Sequence, residues 1–482
     1  MTGLDAWIEE QASLSAREML RAISATDTIK ERPGFGQRVV PLPGSVLASP
    51  VLAAYDPDPD YFFHWFRDSA IVIDALRVAL AEGWLKSEAL DRFREFVRFN
   101  QSLSRLDGRE FLVRSNFRKK VQPSFLQYLR ADAEIAPVRE DAVQAEVRVN
   151  PDGTLDFTRW SRPQNDGGPL RALALLRWRV QPGLDEGLRE ALRELIVADI
   201  DFTLARVNQP SFDIWEEERG FHYYTQLVQA EALGRGGAWL AESGDAARAR
   251  ACRAAAQQII SRLDALWDPK SSCYRSRTSI ANGDPRKTLD IAVVLATLHA
   301  QRASGTHSVL DPRAQATLAA LEDLFDAEYD INRRRPDGRG PAMGRYSGDA
   351  YYSGGAYYFS TLAAGQFYFK LAAALHSGAE FPATDENTRF LMRLGIGLEG
   401  AKGAAPADAA FARGDAFMRT VRAFTPASRE LSEQFDRTTG AQTSAKRLTW
   451  SYAAFITAAA SRREACVAMR ASRPYGTRAG TA

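Results

Sequence analysis

The sequence predicts an all-α fold with one functional end, and three observations carry that reading. Helical periodicity recurs along almost the whole chain, strand signals are few, and no repeat of fixed length is present. Apolar residues at three-four spacing mark helices over about 5–24, 68–83, 88–104, 167–180, 186–206, 222–241, 245–266, 287–302, 311–327, 354–375, 408–421 and 445–461. The second of these places Ile71, Val72, Ala75, Leu76, Ala79 and Leu80 on one stripe. A bundle, a solenoid or a toroid could use so many helices, but a solenoid should show a repeat.

Strand character is confined to 142–158, where alternation ends at Pro151-Asp152-Gly153 and predicts a small hairpin. The connections are more informative. Ordinary ones run to about 4–6 residues, and longer ones are usually functional. The long ones at 140–165, 207–221, 329–353 and 423–444 are rich in aromatics, charge and glycine. They point to a helical barrel with a functional end and short turns at the other. The glycines at 338, 340, 344 and 348 have no following Lys-Ser or Lys-Thr, so they read as flexible loop and not as a phosphate cradle.

Composition excludes several classes. The 482 residues are 45% apolar and 25% charged, as in ordinary globular chains. The net charge is only +2, from 62 basic and 60 acidic residues, so neither nucleic acid nor an anionic membrane is expected as partner. The clusters Arg333-Arg334-Arg335 and Arg462-Arg463 read as solvated surface. Cys252, Cys273 and Cys466 form no C-x-x-C pair, so neither zinc nor a disulfide framework is expected. No apolar run of about 18 residues suggests a membrane span. The first residues lack a basic start with an apolar run, so a cytoplasmic location is expected, or a periplasmic or secreted one should a leader precede this sequence. A monomer is expected, with one domain over 1–469 and a small polar tail over 470–482.

Two acidic loops stand out. Asp213-Ile214-Trp215-Glu216-Glu217-Glu218 puts carboxylates beside a tryptophan just before a helix. Acids at a helix N-terminus are common for electrostatic reasons alone. Chemically, the segment suits a carboxylic acid that an apolar wall and neighbouring carboxylates keep protonated, ready to donate. The second is Ser432-Glu433-Gln434-Phe435-Asp436, again ahead of a helix. Two carboxylates on separate loops are the minimum for cleaving a glycosidic bond.

Five ordered motifs make the pair specific. They are Tyr61-Phe62-Phe63-His64-Trp65-Phe66-Arg67-Asp68-Ser69, then Trp160-Ser161-Arg162-Pro163-Gln164-Asn165-Asp166-Gly167, then Asp213 to Glu217, then Arg345 to Gly354, and finally Ser432 to Asp436 with Gly440-Ala441-Gln442, Ser444-Ala445 and Leu448 to Ala454. In these the chain resembles glycoside hydrolase family 15, the fungal-type glucoamylases, over nearly its whole length. The resemblance implies an (α/α)6 barrel that releases β-glucose from the non-reducing ends of α-glucans with inversion, on α-1,4 and more slowly α-1,6 links. It implies Glu216 as general acid and Glu433 as general base, with no metal and no cofactor. It implies that Arg67 and Asp68 grip the terminal glucose, that Tyr61, Trp65 and Trp450 wall its pocket, and that Trp160 and Trp215 lie by the reacting sugar. Glu217, Arg345 and Tyr357 are then expected at the next sugar.

The chain departs from its fungal relatives at Tyr357, where many have tryptophan, at Gly348, where they often have an acid, and at His64 and Phe66, which replace smaller polar residues. No starch-binding domain is expected after the barrel, so soluble maltooligosaccharides, dextrins, glycogen or isomaltooligosaccharides are the expected partners. A glucosyl transferase or an α-1,6-preferring glucosidase is the second reading. A non-catalytic sugar-binding protein is the distant third, disfavoured because both glutamates are present.

Overall fold

The computed structural model describes residues 3–472 except 55–56, 279, 281, 334, 337 and 398–404. Among these residues there are twelve helices of nine residues or more. They are α1 (Gly3–Arg21), α2 (Phe66–Ala81), α3 (Glu88–Leu103), α4 (Gly167–Trp178), α5 (Glu186–Arg206), α6 (Tyr223–Glu242), α7 (Ala246–Asp264), α8 (Ala292–Ala300), α9 (Pro312–Glu328), α10 (Tyr358–His376), α11 (Ala405–Phe424) and α12 (Thr449–Ser472). The even-numbered helices contact one another in sequence order, and α12 closes back on α2. The odd-numbered helices pack outside them, α1 on α12 and α2, α5 on α4 and α6, α11 on α10. This is an (α/α)6 barrel.

Burial explains which helices lie inside. In α10 every residue is buried except Lys370, Ala374, Leu375 and His376. A helix apolar all round belongs at a centre. In α3, by contrast, Ala89, Phe93, Phe96, Val97, Phe99, Asn100 and Leu103 are buried, and Glu88, Asp91, Arg92, Arg94, Glu95 and Arg98 lie on the other side. Three outer helices begin on aspartates that accept backbone N–H bonds, Asp185 from Leu188, Asp245 from Arg248 and Asp311 from Arg313. At Gly414 in α11 an added Cβ would lie 2.5 Å from the Phe369 ring of α10, so the two helices cross closely there.

Every helix predicted from the sequence is present, with corrected ends. The eighth starts at Ala292 and not near 287, because Pro285–Thr288 is a 3-10 turn capped by Asp284. The tenth starts at Tyr358, after Ala356–Tyr357 pairs as a strand. The last runs to Ser472, past the predicted end of the domain at 469, and the remainder of the predicted tail, 473–482, lies outside the described residues. The hairpin predicted over 142–158 reduces to one bridge, Val149 to Leu155. Glu140–Ala145 is a 3-10 turn, and Arg148–Val149 pairs with His64–Trp65.

The short-turn end also has an exception. The connection 377–404 carries a small helix, Thr388–Arg393, packed on α9. The segment 338–348, predicted to be a flexible loop, is largely packed. Gly340 to Tyr346 are buried, and a Cβ at Gly344 would collide with the Tyr329 hydroxyl at 1.9 Å. No described helix is long and apolar enough to cross a membrane.

Candidate active site

A cavity of about 590 Å³ opens at the N-terminal ends of the inner helices. The connections leading into α2, α4, α6, α10 and α12 all contribute to its wall. Tyr61, Trp65, Arg67, Asp68, Trp160, Trp215, Glu216, Glu217, Arg345, Glu433 and Trp450 line it, so all but one of the residues named from the sequence meet there.

Glu216 sits at the tip of a hairpin in which Ser211–Phe212 pairs with Arg219–Gly220. Its backbone has a φ of +67°, uncommon for a residue with a side chain. The turn is held by Asp213, whose carbonyl accepts the Glu216 N–H at 3.0 Å and whose Oδ1 accepts the Glu217 N–H at 2.8 Å. The carboxylate of Glu216 is not walled by apolar groups, as the sequence suggested. Its Oε1 accepts from Trp65 Nε1 at 2.9 Å and Arg67 Nη2 at 3.1 Å, and its Oε2 accepts from Trp160 Nε1. Its acidic neighbours are turned away. Glu217 goes to Lys287, Arg345 and Tyr346, and Glu218 pairs with Arg277 at 2.7 Å.

Glu433 enters from another element. It precedes Gln434–Phe435, the middle strand of a small sheet with Ala356–Tyr357 and Gln442–Thr443. Its N–H donates to the Ala445 carbonyl at 2.7 Å and its carbonyl accepts from the Tyr358 N–H at 3.2 Å, which fixes its backbone. The Ser444 hydroxyl donates to Oε2. Burial pushes the Glu433 carboxyl up to about 7, against the Ser444 bond and the Arg345 charge.

The rest of the wall suits a sugar, with charged groups for hydroxyls and rings for apolar faces. Arg67 is fixed by Gln164 at 2.8 Å and Asp166 at 3.2 Å. Asp68 lies 3.6 Å from it, and its Oδ2 is a buried acceptor without a hydrogen bond. Burial lifts the Asp68 carboxyl to about 6, opposed by Arg67 and reinforced by the charges of Glu216 and Asp166. Trp450 stacks on Phe359 with centroids 4.4 Å apart. The Trp215 indole donates to Asp290 at 2.8 Å, and burial pushes that aspartate up to about 7. Trp160 is 41% exposed, at the mouth.

Tyr357 is the exception among the sequence-named residues. It is 1% exposed and does not line the cavity. Its hydroxyl is taken by Gln434 at 2.7 Å and Asp349 at 3.3 Å, behind Trp215. It therefore supports the wall and does not present a face to a second sugar. Gly348 has a φ of +69°, and a Cβ there would lie 2.3 Å from Arg286 Nη1, so an acid could not stand there without displacing that arginine. His64 is wholly buried, its Nδ1 accepts the Val46 N–H at 2.9 Å, and burial lowers its pKa to about 3. It is a structural residue, outside the cavity.

Motif reading passed over Tyr351, Phe359 and Ser444 although the first and last lie inside quoted motifs. The Tyr351 hydroxyl meets that of Tyr61 at 2.6 Å on the cavity wall. Lys287 and Asp290 carry no sequence signal, since each acts through a partner far away in the chain.

Comparisons with known proteins agree with this fold. The family model for glycosyl hydrolases family 15 matches residues 36–460. The glucoamylase of Blastobotrys adeninivorans is 26% identical over 458 residues, covering 88% of this chain and 68% of that protein. A probable glucoamylase of Schizosaccharomyces pombe is 26% identical over 472 residues, covering 94% of this chain and 91% of that one. Among solved structures, the Hormoconis resinae glucoamylase superposes with a TM-score of 0.77 at 26% identity, over 95% of this chain and 74% of its own.

Proposed function

The chain belongs to the glycosyl hydrolases of family 15, and from that premise we propose that it removes single glucose units from the non-reducing ends of α-1,4-glucans, and more slowly of α-1,6-linked ones, with inversion. The observation that carries the reading is the meeting of Glu216 and Glu433, from two separate elements, in one cavity lined by Arg67, Asp68 and three tryptophans beyond Trp160.

The roles proposed are those that the motifs imply. Glu216 stands among N–H donors that orient it, and as general acid it gives its proton to the glycosidic oxygen while the C1–O bond breaks. Glu433, raised toward neutrality and backed by Ser444, is a base strong enough to take a proton from water near physiological pH. That water adds to C1 from the opposite face, so α-linked glucose leaves as β-glucose. Arg67 and Asp68 receive the outer hydroxyls of the terminal ring. Glu217 and Arg345 face the next ring. A cavity seated in the end of a closed barrel favours a chain end over a chain interior, which makes the action exo. Soluble maltooligosaccharides or glycogen are the proposed substrates.

The test follows maltotriose hydrolysis by proton NMR. Prompt β-glucose is expected, and prompt α-glucose overturns the inverting assignment. Glu216→Gln and Glu433→Gln are each expected to lower turnover by about 10²–10⁴-fold with the helical fold intact. Near wild-type turnover in either refutes its role.

A further inference from the structure

Lys287 lies in the Pro285–Thr288 turn, outside every motif of the catalytic machinery. Its side chain is 4% exposed, and its ammonium contacts two carboxylates, Asp213 Oδ2 at 2.6 Å and Glu217 Oε2 at 2.7 Å. Nζ also lies 4.9 Å from the centre of the Tyr346 ring. The pairing keeps the lysine charged despite burial, with its pKa raised by the two acids.

The two acids do different work. Asp213 holds the turn that carries Glu216. Glu217 is one-third exposed and lines the cavity. Its Oε2 is taken twice, by Lys287 and by the Tyr346 hydroxyl at 2.6 Å. Among the described residues its Oε1 accepts only from Arg345 Nη2, at 3.0 Å. A carboxylate oxygen has two acceptor sites, so Oε1 keeps one for a ligand hydroxyl. Without Lys287 the side chain would keep Tyr346 on Oε2 and Arg345 on Oε1 but lose the cation that holds Oε2, and a less fixed carboxylate costs affinity to order on binding.

We infer that Lys287 is a positioning residue for the second sugar: it pins Glu217 so that Oε1 accepts a hydroxyl of the ring on the leaving side of the scissile bond. The inference rests on the α-glucosidase reading above and adds a residue to it. A lysine that merely neutralised Asp213 would act differently. Its loss would loosen the hairpin and misplace Glu216, lowering kcat. Loss of a positioned Glu217 instead weakens binding of any substrate with a second ring and spares one without it.

The split between kcat and KM on maltose separates these cases, and α-D-glucosyl fluoride, whose leaving group has no ring and needs little proton donation, reports whether the terminal-glucose pocket and the base are intact. In Lys287→Met and Lys287→Gln, kcat/KM for maltose is expected to fall about ten-fold or more, chiefly through KM, while glucosyl fluoride changes by less than about three-fold. Lys287→Arg keeps a cation between the two acids and is expected to hold the maltose KM within about three-fold of the wild-type value, and it carries the comparison if the neutral variants do not fold. A maltose loss that falls on kcat, parallel losses on both substrates, or an unchanged maltose KM in the neutral variants each overturns the inference. A wild-type protein that turns over neither substrate overturns the glucosidase reading itself, and the inference with it.

Discussion

As the proposed base Glu433 must be ionised, yet it stands where ionisation is opposed. Burial is the largest influence on it and raises its carboxyl to about 7, the Asp68 charge adds to that, and the Ser444 hydroxyl, Arg345 and the Ala445 backbone work the other way. The pH profile of kcat/KM reports the free enzyme. Its acid limb is therefore expected to bend near pH 7 and to fall about ten-fold per unit below it, as the base becomes protonated. Ser444→Ala removes a donor that favours the charged form, so the limb should move to higher pH. A limb bending near the ordinary glutamate value of about 4.3, unmoved by Ser444→Ala, would show that some other group must ionise. At this scale the two glutamates were legible in the sequence because each lies in a motif with many fixed neighbours. What surrounds Glu216 was not. Trp65, Arg67 and Trp160 reach it from sequence distances of 151, 149 and 56 residues. Local composition suggested an apolar wall where the fold places three donors.

The elements were legible in proportion to their length. Helices of many turns repeat their apolar spacing several times, so all twelve could be read and only their ends moved, where Pro285 and the strand at Ala356–Tyr357 intervene. Strands of two residues have no period to read. The pairings that shape the site, His64–Trp65 with Arg148–Val149 and Ala356–Tyr357 with Gln434–Phe435, are long-range and leave no local trace. The caps of the outer helices, by contrast, are local and make a clean prediction. Asp245 accepts the Arg248 N–H at 3.0 Å and starts α7, which packs on α6 at the outer surface of the barrel. Asp245→Ala is expected to cost about 1 kcal/mol of stability, read in denaturant unfolding, with kcat/KM for maltose unchanged. An unchanged unfolding midpoint would mean that Asp245 and its helix start contribute nothing, and a change in kcat/KM would tie α7 to the site.

Ring closure belongs to the whole molecule and to no single segment. Periodicity alone left bundle and toroid open, and the barrel followed from the long connections and the motifs rather than from the pattern of helices. The structure shows what closes it. The first helix packs on the last, with Trp7 edge-on to Phe455 at 5.5 Å. Around that contact Arg462 pairs with Asp5 and Asp415, and Arg463 with Glu9 and with Glu82 just past the end of α2, so α1, α11, α12 and the end of α2 are tied at one seam. The cavity-lining groups are distributed around the same ring, Arg67 on α2 and Trp450 on α12, with Glu433 just ahead of α12. Loss of the seam should therefore reach the site although Trp7 is not among the cavity residues. Trp7→Ala removes a large side chain that is only 8% exposed, and is expected to cost about 3–5 kcal/mol. In urea, helical circular dichroism and maltose hydrolysis should be lost together, both at lower denaturant than in the wild-type protein. If activity instead persists to the wild-type midpoint while part of the helical signal disappears early, α1 is an appendage and the barrel does not depend on the seam.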